Sequence, residues 1–336
     1  MVTSRDSDRP VEAPLHRSRT SADREHAALL LDVSRRYYVE DQSQAEIAAE
    51  VQFSRATVSR LLSEARRRGI VQIRISHPLE RVLGIERALV RAFGLKHARV
   101  ADPEDVLSAQ SEVARCAADL IIECSAENVV LSVSNGMAVT ATVDAMPQLA
   151  WPRSRVVQMI GSVGYSEKLL DSPETCRRMA RKLGGSFHPL PAPLVIANPD
   201  ATQALRTDNQ IATTLELGAR ADVALVGVGA VTDGHSGLIL QPYEDPELIR
   251  AVYEAGGVAH ICGHHITATG QHVRTEICDR TVAVGLERLR KIPLVVGVAW
   301  GQGKVAALVA ALRGGYLSAL VTDRATAVAL LESVDA

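Results

Sequence analysis

Aromatic residues are scarce in this chain: two Trp, six Tyr and three Phe make up 3% of 336 residues. So few π faces argue against a platform that stacks single-stranded bases. There are five cysteines, Cys116, Cys124, Cys176, Cys262 and Cys278, and no two form a CxxC pair. An odd, scattered set is not a disulfide framework, and a reducing cytoplasm is the expected compartment. No stretch reaches the ~18 uncharged apolar residues of a membrane span, and the N-terminus lacks an apolar signal core, so no membrane partner is expected. Also missing are HExxH, HxE…PCxxC and a GxGxxG in proper context, and Gly234-His235-Ser236-Gly237 lacks the spacing of a nucleophile elbow. No catalytic residue, cofactor or metal is expected. Lysine is absent from residues 1–78, where 13 Arg stand against 11 Asp and Glu, although the whole chain carries a net charge of −2. Positive charge is thus gathered at one end, on Arg55, Arg60 and Arg66-Arg67-Arg68, as a nucleic-acid contact requires.

What is present at that end is ordered. Gln44 to Arg68 contains two short helical patterns around a tight turn. Ser43 with Glu46 forms a capping box for the first, whose apolar face is Ile47, Ala48 and Val51. Ser54 caps the second, where Val58, Leu61, Leu62 and Ala65 follow i, i+3, i+4, i+7. This is helix-turn-helix spacing. Counted from Gln44, the ninth position is usually Gly because the turn wants positive φ, and here it is Gln52. Phe53 falls at a position expected to make an apolar contact. The residues expected on duplex DNA are Gln44, Ser54, Arg55, Ala56, Thr57, Ser59 and Arg60, with Arg66 and Arg67 toward phosphates. An ordinary helical hairpin with a charged outer face is the alternative.

In chain order, residues 1–22 read as a disordered tail, with Arg17 and Arg19 as a possible minor-groove arm. A bracing helix runs from Asp23 through Ala28, Leu29, Leu31, Val33 and Tyr37. Gly69 closes the second helix of the pair. Val71, Ile73 and Ile75 alternate as a wing strand, so 23–78 is expected to be a winged helix-turn-helix domain. Residues 79–99 are expected to form a linker helix, with Leu79, Val82, Leu83, Leu89 and Phe93 apolar.

From 100 to 336, β-branched runs alternate with helical patterns: Val129–Val133, Arg155–Ile160, Asp222–Val228, Val258–Cys262, Pro293–Ala299 and Ala319–Thr322. Such alternation predicts an α/β domain with a Rossmann-like parallel sheet covered on both faces. Ligands of such sheets bind at the carboxyl ends of the strands. Gly-rich turns fall at four of those ends: Ser132–Gly136, Gly161–Gly164, Gly227–Gly229 and Gly301–Lys304. The last joins a buried strand to a helix and adds the charge of Lys304 without the Ser or Thr of a Walker loop. It suits a small anionic ligand, or Lys304 snorkels from a tight turn. His260, Cys262 and His264, read as one strand, would share a face and could bind a metal, but a pocket wall explains the alternation as well.

The segments 44–75 (QAEIAAEVQFSRATVSRLLSEARRRGIVQIRI), LSVSNG at 131–136, VVQMIG at 156–161, ADVALVGVGAV at 221–231, HICGHH at 260–265 and 280–331 stand in a specific order. By these segments the chain resembles the SorC family of sugar-responsive bacterial transcriptional regulators. The resemblance spans about nine tenths of the chain. It implies a C-terminal domain similar in fold to phosphosugar isomerases and deaminases that binds an effector without turning it over. It also implies double-stranded operator DNA as a partner, a homodimer or homotetramer, and effector contacts at Ser134, Asn135, Gly136, Met137, Gly161, Gly227, Gly229, Thr267 and Lys304. The chain departs from the family pattern at Asn135, Met137 and Ala138, and has Thr267 and Thr269 before Gly270. Neutral groups there widen the expected effector from a sugar phosphate to a free sugar or polyol. An isomerase- or deaminase-like enzyme with an accessory DNA-binding head is the alternative, since fold does not fix function.

Overall fold

The structure is a computed structural model, and it describes residues 21–71, 78–103, 105–163, 172–231 and 246–335. The chain divides into two compact units, Met1–Ser76 and His77–Ala336.

The first unit is built from α1 (Ser21–Tyr38), α2 (Gln44–Glu50) and α3 (Arg55–Arg67). Ser43 caps α2 with the reciprocal Glu46 bond, and Ser54 accepts from the Thr57 N–H at the start of α3. At the end of α3, Gly69 has φ +73°. Its N–H donates to the Arg66 carbonyl, and the Ile70 N–H donates to the Ala65 carbonyl. This paired closure satisfies carbonyls that the helix leaves open. Leu30, Val33, Ile47, Ala48, Val58, Leu61, Leu62 and Ala65 form the core. The phase of α1 differs from the sequence expectation: Leu30 is buried, while Leu31 is 56% exposed and Ala28 is exposed. Three consecutive leucines leave the phase open, and Val33 and Tyr37 set it. Phe53 is 43% exposed and does not join this core. The expected wing residues Ile73 and Ile75, and most of the N-terminal tail, lie outside the described residues.

The second unit holds a parallel sheet of seven strands in the order β1-β10-β9-β5-β2-β3-β4. These are β1 (His97–Ala101), β2 (Val130–Val133), β3 (Arg155–Gln158), β4 (Ser186–His188), β5 (Val223–Gly227), β9 (Leu294–Val298) and β10 (Ala319–Asp323). Continuous burial of β2, β9 and β10 explains their unbroken apolar sequences. The fold is α/β, as expected. A separate antiparallel sheet contains β6 (Gly229–Ala230), β7 (Gly257–Ile261) and β8 (His264–Thr267). The run Val258–Cys262 therefore belongs outside the parallel sheet. Cys262 and Gly263 turn the β7–β8 hairpin with φ +51° and +79°. The expected single face of His260, Cys262 and His264 is thus replaced by two paired strands. The helix Pro78–Phe93 packs within this unit and not as a free connector. Its Val82 and Leu89 are buried with Leu95, Val100 and Leu330.

Candidate functional site

Each unit carries one candidate surface. In the first, Val58, Leu61, Leu62 and Ala65 face inward, so Ser54, Arg55, Ala56, Ser59, Arg60, Ser63 and Arg67 are left on the exposed side of α3. Thr57 and Gln44 are partly exposed. Arg55 and Arg60 have no ion-pair partner among the described residues. Arg66 is differently placed: its Nε donates to Tyr38 Oη at 2.8 Å, and its guanidinium lies over the Tyr38 ring. Arg68 pairs with Glu64 at 2.6 Å. Gln52 takes φ +54° in the turn between α2 and α3, the conformation that favours Gly at this position.

In the second unit the strand order of the parallel sheet reverses between β2 and β5. Successive strands step one way through β2, β3 and β4 and the other way through β5, β9 and β10. Connections leaving the two sides open a crevice at the carboxyl ends of the strands there. Ser134 follows β2 and bridges the reversal. Its N–H donates to the Leu225 carbonyl at 3.0 Å, and its Oγ accepts from the Gly227 N–H at 3.4 Å. Gly227 also lies close to Asn135, for a Cβ there would be 3.5 Å from the Asn135 carbonyl oxygen. Gly136, at φ +112°, starts the helix Met137–Ala145 with no side-chain cap, and Met137 is 59% exposed.

The Lys304 turn enters from the next strand along. Gly301, at φ +91°, leaves β9 and leads into the short turn Gln302–Lys304 and the helix Val305–Arg313. This turn packs against Gly229–Ala230. Gly229 is needed there, since a Cβ would sit 1.9 Å from His260 Nε2. Burial lowers the Lys304 ammonium from its ordinary value. It has no ion-pair partner among the described residues. His260 is buried, and its pKa is pushed down to about 3, first by burial, then by His265 and Lys304. Its Nε2 has no hydrogen-bond partner among the described residues.

Ser134, Asn135, Gly136, Gly227, Gly229 and Lys304 therefore stand at the carboxyl ends of adjacent strands. Gly161 and Thr267 are occupied otherwise. Gly161 is buried, donates to the Val282 carbonyl, and lies where a Cβ would meet the Pro193 backbone at 2.4 Å. The Thr267 hydroxyl accepts from the Gln271 N–H and bonds Thr269 within a tight turn. Sequence reasoning missed two groups. His260 was read only as a possible metal ligand. Asp323 was not singled out: its carboxylate accepts from the Gly301 N–H at 2.9 Å and from the Thr326 N–H at 2.9 Å, and it also bonds the Thr326 hydroxyl. Burial pushes that carboxyl up, but these hydrogen bonds prevail and hold it below the usual range. Asp323 thus fixes the turn that presents Lys304. Its signal in the sequence was an Asp followed three residues later by Thr at a strand–helix junction.

The family described as "Putative sugar-binding domain" matches residues 77–332. The deoxyribonucleoside regulator of Bacillus subtilis is 31% identical over 93% of this chain and 100% of its own length. The sorbitol operon regulator of Klebsiella pneumoniae is 30% identical over 90% of this chain and 98% of its own. The crystal structure of that full-length regulator superposes with a TM-score of 0.73 at 28% identity, covering 91% of this chain and 99% of that one. A DeoR family transcriptional regulator from Listeria monocytogenes gives 0.69 at 27% identity over 74% of this chain and 99% of that one. Within the described residues, no helix is long and apolar enough to cross a membrane.

Proposed function

Taking as premise that this chain belongs to the SorC-type family of transcriptional regulators with a sugar-binding domain, we propose that it binds operator DNA through α3 and that a small carbohydrate in the second unit controls its affinity for that DNA. The observation that carries the effector half is Lys304: a half-buried ammonium without an ion-pair partner among the described residues, set on a glycine turn that packs against Gly229–Ala230 and follows a strand neighbouring the one that ends at Gly227. A desolvated cation is costly unless something pairs with it, and an anionic or hydroxyl-rich ligand supplies the partner. Backbone N–H groups at the uncapped helix start after Gly136 and the hydroxyl of Ser134 suit a sugar phosphate, sugar or polyol.

The DNA half rests on the exposed face of α3, where Arg55 and Arg60 stand beside Ala56 and Ser59 with no ion-pair partner among the described residues. One such head covers a short site, so a two-fold assembly with half-sites one or more helical turns apart goes with this reading. Binding is favoured over turnover by Asp323. Among the described residues it is the buried acid at the Lys304 turn, and its oxygens are engaged by Gly301 and Thr326. The experiment is a thermal-shift screen of sugars, sugar phosphates and polyols on wild type and Lys304→Ala. A ligand that raises the melting midpoint of the first and not of the second supports the site. Equal shifts in both place the pocket elsewhere.

A further inference from the structure

His264, His272 and Cys278 converge from three consecutive segments of the second unit. His264 opens β8. The chain then turns at Thr267–Gly270 and comes back antiparallel, with Ile266 opposite His272. Strand alternation puts His264 and Ile266 on one face, and cross-strand pairing puts His272 there too. The short helix Glu276–Arg280 supplies Cys278. One ligand atom from each residue lies within 4.8 Å of the other two. Cys278 Sγ is 3.4 Å from His272 Nε2, and the His264 and His272 rings stand edge to face with centroids 5.4 Å apart. A thiolate and an imidazole bound tetrahedrally to one Zn2+ are separated by about 3.6 Å.

A second observation is independent of that spacing. His264 is 5% exposed, and neither of its ring nitrogens has a hydrogen-bond partner among the described residues. A neutral imidazole carries one N–H and one lone pair, and burying both unused is costly. A metal takes up the lone pair. The nearby Arg206 guanidinium donates to the carbonyls of Cys278 and Thr281. His272 is half-exposed and gives the ion a way in.

We propose that His264, His272 and Cys278 form a binding site for a Zn2+-class divalent ion, with two imidazole nitrogens and the Cys278 sulfur as ligands and water in the fourth position. Binding displaces the thiol proton of Cys278 to solvent, so the ligand is the thiolate. The ion clips the β8 hairpin to the helix behind it. That hairpin is also tied to the C-terminal end of the helix Val305–Arg313, because Gly270 packs against Gly314 and its carbonyl accepts from Tyr316 Oη at 2.9 Å. The clip is a structural brace.

The test uses the full chain, reduced and stripped with chelator, and titrated with Co2+ as a spectroscopic probe. One equivalent should give a thiolate-to-cobalt charge-transfer band in the near ultraviolet. Cys278→Ser should lose the band, and His272→Asn should weaken Co2+ binding by at least about tenfold. Cys124→Ser should keep the band, although Cys124 Sγ lies 3.8 Å from His97 Nε2. Absence of the band in wild type, or its loss in Cys124→Ser with survival in Cys278→Ser, overturns the site. A fold-independent measurement is alkylation of the wild-type cysteines with and without Zn2+, read by mass spectrometry. Cys278 should be protected by the ion, and equal labelling in both conditions contradicts the proposal. Neither readout depends on sugar or DNA binding, so failure here leaves the proposed function standing.

Discussion

Gln52 holds a backbone conformation that favours Gly, at φ +54° in the turn between α2 and α3. Gln52→Gly should relieve that strain, offset in part by the greater freedom of Gly in the unfolded chain. A net gain of about 1 kcal/mol is expected, read as slower hydrogen exchange at the amides of α2 and α3. Unchanged or faster exchange would mean that the side chain of Gln52 contributes more than the strain costs. Three histidines of the second unit set a pH response. Burial is the largest cause in each, and holds His260 and His264 down to about 3 and His265 to about 4, from an ordinary value of 6.5. As pH falls through 6.5 the unfolded chain takes up protons at these imidazoles and the folded chain does not. Stability is therefore fully present above about pH 7 and is progressively lost from 6.5 down to about 4 for His265 and about 3 for His260 and His264. Melting of the metal-free protein across pH 8 to 4.5 should show the midpoint dropping below about pH 6.5. A flat profile would mean that these imidazoles take up protons in the fold as readily as in the unfolded chain.

At the scale of elements, much was legible because local signals agreed with tertiary demand. The Ser43–Glu46 box, the Ser54 cap and the Gly69 closure all lie where their residue types placed them. The buried strands were legible as β-branched runs, since strands covered on both faces need no polar alternation. What was not legible depended on partners distant in sequence. β1 and β4 are edge strands of five and three residues with no such run. The β7–β8 hairpin was hidden because Cys262, an unusual residue for positive φ, makes its turn. The site was only half visible: the glycine turns could be read, but the pairing of Ser134 with Gly227 and the role of Asp323 require the strand order. Two glycine turns make contrasting predictions. In Gly161→Ala the new methyl would meet the Pro193 backbone at 2.4 Å, and a loss of about 1–3 kcal/mol is expected in denaturant unfolding. In Gly227→Ala the nearest atom is 3.5 Å away. That variant should fold normally and lose ligand response, as the methyl intrudes at the crevice. If Gly161→Ala is neutral, the backbone packing around Pro193 is looser than described.

The chain carries Arg55 and Arg60, exposed and without ion-pair partners among the described residues, in its first unit, and Lys304, likewise without one, at the carboxyl ends of the sheet in its second. In the proposed regulator these two surfaces must be coupled, and coupling is reciprocal: an effector that weakens DNA binding by some factor is itself weakened by DNA to the same degree. On a duplex selected from a random library, Arg55→Ala or Arg60→Ala should cost about 1–3 kcal/mol while leaving random-sequence affinity nearly unchanged. An equal loss on both duplexes would assign those residues to phosphates. The most direct measurement of the central claim is fluorescence anisotropy of the selected duplex, with and without the sugar, sugar phosphate or polyol that gives the largest thermal shift. The wild-type Kd should change by about 5–150-fold on adding the compound, and Lys304→Ala should keep the compound-free Kd but show no change on addition. A wild-type Kd that no compound moves, or the same shift in Lys304→Ala as in wild type, would contradict control through this crevice.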